Sequence, residues 1–236
     1  MELTAVVTLP LDLSDTSLIG LTRDLQHALA SPSPVVTLIG AAPGTFCLGL
    51  ALGSEAHGDS NTHAFSELLT TMHGSPKPLL AVVDGRAIGG GMGLACACDW
   101  VVSTERSTFA LPELLWGLIP AIIWPVLTDR MAPHAVRQWT VSAHTRSALD
   151  AHAAGLVDTL VPADTLERVV GRRARDLSRL DPAALHRLRR WARDSRQHDL
   201  PTALKLGAEI TASMLRQPTV RRRWDAFAAG ESPWSS

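Results

Sequence analysis

Residues 87–100 read AIGGGMGLACACDW, with Gly89, Gly90 and Gly91 in a row and Gly93 one Met later. A glycine run inside an apolar segment marks a place where something approaches the backbone closely, or where φ turns positive. The run follows a strand-like stretch, PLLAVVDG (78–85), and opens a segment with the apolar character of a buried helix. A strand, a glycine turn and a helix N-terminus leave backbone N–H groups unpaired, and such groups hold a phosphate or an oxyanion. The phosphate patterns fit poorly: no Lys-Ser/Thr pair follows the glycines, and the spacing is not that of a dinucleotide loop with its acidic partner about 20 residues on. A plain packing turn is the bland alternative. A second stretch, GTFCLGLAL (44–52), sets Gly49 and Leu50 just past the strand-like PVVTLIG (34–40). If the strands are parallel, both loops lie at one end of the sheet and two N–H donors converge as an oxyanion hole.

The surrounding elements must bring these loops together. TAVVTLPL (4–11), PVVTLIG and PLLAVVDG alternate with the helical patterns DTSLIGLTRDLQHALAS (15–31) and AFSELLTTMHG (64–74). This β-α-β-α-β rhythm predicts parallel strands with helical crossovers. Beyond residue 121 the strand signal fades and helix patterns dominate to the end of the chain. A length of 236 residues with 46% hydrophobic content is enough for one domain with a real core. With 22 basic and 23 acidic residues, no whole-protein field draws the chain to nucleic acid or a membrane. No apolar run is long enough to predict a membrane span. Three cysteines, Cys47, Cys96 and Cys98, are an odd number, and with no signal peptide evident they suggest reduced thiols in a cytoplasm. Cys96 and Cys98 have the wrong spacing for zinc and lack a second pair, so buried core thiols are the better reading. Nine histidines are scattered without an obvious nucleophile partner.

FCLGLAL, PLLAVVDGRAIGGGMGLACACD, STFALPELLWGLIPA and AHAAGLVDTLVPADTL follow one another in that order. In this the chain resembles the crotonase (enoyl-CoA hydratase/isomerase) superfamily, over about residues 34–165, with PTVRRRWDAFAAGESPW similar to its C-terminal helix. The resemblance implies an α/β crotonase fold, a ββα spiral core over residues 1–175, with a helical C-terminal oligomerisation region over residues 176–236. It implies trimers or hexamers and an acyl thioester substrate on CoA or acyl carrier protein, with no cofactor and no metal. Position by position it implies an oxyanion hole from the Leu50 and Gly90 N–H groups, and a catalytic carboxylate at Glu113, in the Pro-Glu pair. Gly89, Gly93 and Trp116 fall to the substrate pocket. Asp99, in the family's Cys-Asp pair, is expected to be structural.

Two departures narrow the expectation. Hydratases of the family carry a further glutamate three residues after the oxyanion glycine; here that position is Gly93, so ordinary enoyl-CoA hydration is not expected. The aspartate of the dienoyl isomerases is also missing, since the residue eight beyond Glu113 is Ala121. With Leu50, Gly93 and the run GLIPAIIWPVL, the chain resembles most closely the dehydratases of polyketide β-branching. These convert 3-hydroxy-3-methylglutaryl groups on acyl carrier protein to 3-methylglutaconyl thioesters. Gly93 would supply room for the branch, while the counter-charge for the terminal carboxylate is not identifiable. Nine arginines against three aspartates between residues 172 and 196 offer a face for an acidic carrier or a nucleotide tail, or simply a solvated helix. The alternatives are a crotonase-fold isomerase or cyclase, and a non-catalytic oligomeric scaffold.

Overall fold

The computed structural model describes residues 3–51 and 58–232. Two compact units emerge, Met1–Ser178 and Arg179–Ser236. In the first, strand β1 (Thr4–Leu9) leads to helix α1 (Asp15–Ala30), whose start is fixed by reciprocal hydrogen bonds between Ser14 and Ser17. Leu18, Leu21, Leu25 and Ala28 recur at helical spacing and are the buried face of α1. There follow β2 (Val35–Gly40), β3 (Gly44–Cys47), α2 (Gly58–His73), β4 (Leu79–Val83), β5 (Gly85–Ile88), α3 (Gly90–Cys96), β6 (Trp100–Thr104) and β7 (Thr108–Ala110). A 3₁₀ turn spans Glu113–Trp116, followed by α4 (Trp124–Arg130), α5 (Pro133–Ser142), β8 (Arg146–Ser147), α6 (Ala148–Ala153), β9 (Thr159–Val161), a second 3₁₀ turn (Ala163–Thr165) and α7 (Leu166–Leu177).

The strands form two sheets. One is wholly parallel, in the order β1-β2-β4-β6-β9; the other runs β3-β5-β7-β8, with only β8 antiparallel to its neighbour. From β2 to β7 each turn of the chain lays one strand in the first sheet and a short one in the second before a helix or helical turn carries it on. This is the ββα spiral. The two short strands β3 and β5 correct the expectation that the chain passes directly from strand to loop at residue 44 and from strand to glycines at residue 85. Beyond residue 121 the strands β8 and β9 persist, though of two and three residues.

The central strands β2 and β4 of the five-stranded sheet are buried on both faces, while β1 at its edge buries only one. Along β4, Leu79, Ala81 and Val83 join the main core, while Leu80 and Val82 face a smaller core made with Ala174 and Leu177 of α7. Asp99 is a structural clamp at the start of β6: its carboxylate accepts the Leu79 N–H at 2.7 Å and its own N–H donates to Leu79 O at 2.9 Å. Arg130 ties another junction, donating to Leu156 O at 2.7 Å and Cys98 O at 2.8 Å and pairing with Asp158.

The second unit contains α8 (Pro182–Asp194), α9 (Leu200–Leu215) and α10 (Pro218–Ala228). Asp181 and Asp199 cap α8 and α9, accepting the Ala184 and Thr202 N–H groups at 2.8 and 3.0 Å. Asp181 also pairs with Arg223 at 2.5 Å. Leu188, Leu200, Leu204, Leu215, Trp224 and Phe227 are exposed.

Candidate active site

The glycine run joins β5 to α3. Gly89 has φ +50°, a left-handed conformation that side chains rarely adopt. Its N–H donates to Ala110 O of β7 at 2.9 Å, and a methyl group on it would stand 2.9 Å from Glu113 Oε1. Gly89 is therefore the floor beneath the carboxylate. At Gly91 a methyl group would lie 2.1 Å from Cys47 O, so only glycine lets α3 settle against β3. All seven residues of α3 are buried.

Gly90 is the first residue of α3, where a backbone N–H has no intrahelical acceptor. Leu50 sits on the facing loop, held through its neighbours: Leu13 N–H donates to Gly49 O at 2.8 Å and Ala51 N–H to Leu13 O at 3.2 Å. This pairing turns the Leu50 N–H away from Leu13. The loops touch, since a methyl group on Gly49 would meet Gly90 N at 2.8 Å.

Between them lies a cavity of about 340 Å³. Leu50, Gly89, Gly90, Glu113 and Trp116 all line it, joined by Phe65 of α2 and by Leu118, Ile119, Ile122 and Ile123. Five of the six residues expected at the site thus come together. The sixth, Gly93, does not. A methyl group there would lie 2.3 Å from Ile123 Cγ2, so Ile123 already fills the space that the absent side chain was expected to leave for substrate. Phe65 and Ile123 were not foreseen; Ile123 lies inside the unusual run GLIPAIIWPVL, but nothing local in the sequence marks Phe65.

Glu113 opens the 3₁₀ turn, and its C=O accepts the Leu118 N–H at 3.0 Å. Its side chain is different: Oε2 is buried with no hydrogen-bond partner. Desolvation by burial pushes the carboxyl above its ordinary value of 4.5, against a smaller lowering from its own backbone N–H. Such a group is a stronger base than a solvated glutamate and is not spent on capping. Burial pushes the thiols of Cys47 and Cys96 up, to about 11 and about 12, and no cysteine lines the cavity among the described residues. Among the described residues no group of three or more His, Cys, Asp and Glu could hold a metal ion, and no helix is long and apolar enough to cross a membrane.

The profile of the enoyl-CoA hydratase/isomerase family matches residues 13–235. The chain belongs to that family. The enoyl-CoA hydratase/isomerase fold recurs in human enoyl-CoA hydratase domain-containing protein 3, with a TM-score of 0.85 at 23% identity over 99% of this chain and 97% of that one. Among curated members, the 2,3-dehydroadipyl-CoA hydratase of Escherichia coli K12 is 28% identical over 196 residues, 81% of this chain and 77% of that protein. The carnitinyl-CoA dehydratase of Proteus mirabilis is 27% identical over 177 residues, 73% of this chain and 68% of that protein. As a member of the enoyl-CoA hydratase/isomerase family, the chain is an enzyme.

Proposed function

We propose that this enzyme is a hydro-lyase that removes water from a β-hydroxyacyl thioester through an enolate. The thioester oxygen sits between the Leu50 and Gly90 N–H groups, which stabilise its developing charge. Glu113 takes the α-proton and hands it to the departing β-hydroxyl on the same face. By microscopic reversibility the same carboxylate also adds water to the enoyl product. On this reading hydration runs through one carboxylate, which revises the expectation drawn from Gly93, and supply of substrate sets the direction. The observation that carries the reading is the desolvated carboxylate of Glu113, whose buried Oε2 has no hydrogen-bond partner, in one cavity with Leu50 and Gly90. The names of the curated relatives, one a hydratase and one a dehydratase, support the reaction class.

The narrower expectation, a 3-hydroxy-3-methylglutaryl group on acyl carrier protein, rests on Leu50, Gly93 and the run after Glu113. The cavity supports it less well. Its lining is almost wholly apolar, and among the described residues no Lys, Arg or His lines it to meet a terminal carboxylate. Threefold assembly belongs to the same proposal, supported by the exposed Trp224 and Phe227; sedimentation as a monomer at micromolar concentration removes it.

The test offers 3-hydroxybutanoyl-CoA, 3-hydroxy-3-methylglutaryl-CoA and the latter group on carrier protein, and follows product mass. Loss of one water supports the reading. A rearranged product of unchanged mass replaces it with isomerisation by the same carboxylate. A carrier-bound form that outpaces CoA, with an advantage that shrinks as salt rises, supports carrier docking on the arginine-bearing helices.

A further inference from the structure

Ile123 occupies an unusual place. It is 3% exposed, it lines the cavity that holds Glu113, and its Cγ2 and Cβ stand 2.3 and 2.9 Å from where a side chain on Gly93 would begin. Gly90 and Gly93 share one face of α3, three residues apart, so Ile123 lies against the face that carries Gly90, and both line one cavity. A thioester whose oxygen is held at the Gly90 N–H extends its acyl chain into the cavity that Ile123 lines. The methyl groups of Ile123 are then the wall that the acyl chain meets just past the reacting carbons.

We infer that Ile123 is the specificity-determining residue of this site, limiting substitution at the β-carbon of the acyl group. The inference rests on the thioester reading above. Gly93 and Ile123 act as a pair: glycine at 93 exists to admit Ile123, and Ile123 converts the empty position into an apolar, water-excluding surface. The acyl group that fits is uncharged and unbranched at the β-carbon. A second methyl there would compete with the methyl groups of Ile123 for one space.

Binding of unreactive saturated thioesters tests this independently of turnover. Butanoyl-CoA, 3-methylbutanoyl-CoA and 3,3-dimethylbutanoyl-CoA are titrated calorimetrically into the wild type, Ile123→Val and Ile123→Ala, with folding of each variant checked by circular dichroism. The wild type is expected to favour butanoyl over 3,3-dimethylbutanoyl, which carries two added methyls, at least about tenfold, since even one methylene of misfit in an apolar pocket is worth roughly 10–200-fold. Ile123→Ala is expected to narrow the gap at least fivefold, and Ile123→Val about two- to threefold. A purely structural Ile123 would weaken all three thioesters alike and leave the ratios unmoved, which overturns the inference. If Ile123→Ala does not fold, an unchanged ratio in Ile123→Val has the same force, as does a wild type with no preference. Selective binding without water loss from any β-hydroxy thioester removes the proposed reaction and leaves this inference standing. A wild type that binds none of the thioesters removes both.

Discussion

Every residue of α3 from Gly90 to Cys96 is buried, with Gly90 lining the cavity and Gly91 packed on the backbone of Cys47, whereas across the same cavity Trp116 and Ile119 are each more than half exposed. The first wall presents peptide groups that cannot shift without disturbing β3 behind them. The second presents one desolvated carboxylate on a short turn otherwise made of apolar side chains. Fixed dipoles suit the stabilisation of charge, because they need no rearrangement when the charge develops. A side chain suits proton transfer, because it must accept and release. On the proposed reading each wall supplies one half of the chemistry.

The sharpest way to break that division is Glu113→Gln, which keeps shape and removes the proton acceptor. Turnover is expected to fall about 10²–10⁴-fold with the melting temperature little changed. Near-wild-type turnover would leave the second wall without a chemical role.

The first wall should be intolerant of a single methyl group. Gly91→Ala drives Cβ against Cys47 O, and Gly93→Ala drives it against Ile123. Each is expected to cost about 1–3 kcal/mol by overpacking, roughly 2–4 °C of melting temperature per kcal/mol in a chain of this size. Because Cys47 contributes backbone and Ile123 a side chain, only the second loss is relieved in an Ile123→Ala background. A double-mutant cycle should show coupling of about 0.5–3 kcal/mol for Gly93 with Ile123; additive losses would mean the two do not compete for space.

A pH series sharpens the comparison further. Burial raises the Glu113 carboxyl above 4.5, so the folded chain disfavours the charged form. Its contribution to stability is full below that value and is lost as pH rises through the raised one. Denaturation between pH 4 and 8 should show this slope in the wild type and not in Glu113→Gln. Turnover, which needs the ionised base, should rise over the same interval. The smallest effect is expected at Trp116→Ala: 58% exposed, it should change stability by within about 0.5 kcal/mol, while weakening thioester binding severalfold.

What could be read from the sequence was local. Pro112-Glu113, the glycine run and Gly49-Leu50 each carry their meaning within a few residues, and the parallel strands that bring them together announce themselves by apolar runs. The strands β3 and β5 did not, because four residues that include glycine give no alternation to read. The fate of Gly93 was illegible for another reason. A missing side chain shows in the sequence, but the side chain that takes its place comes from 30 residues further along, and only the fold brings the two into contact.

The three cysteines carry a practical consequence. Cys47, Cys96 and Cys98 are all buried and form no disulfide, and a thiol held at about 11, as Cys47 is, is ionised at neutral pH in about one molecule in ten thousand. Alkylating reagents therefore find almost nothing to attack in the native chain. A cysteine introduced at the exposed Leu115 would be the single reactive thiol, and a fluorophore attached there would report occupancy of the neighbouring cavity without first removing any natural residue.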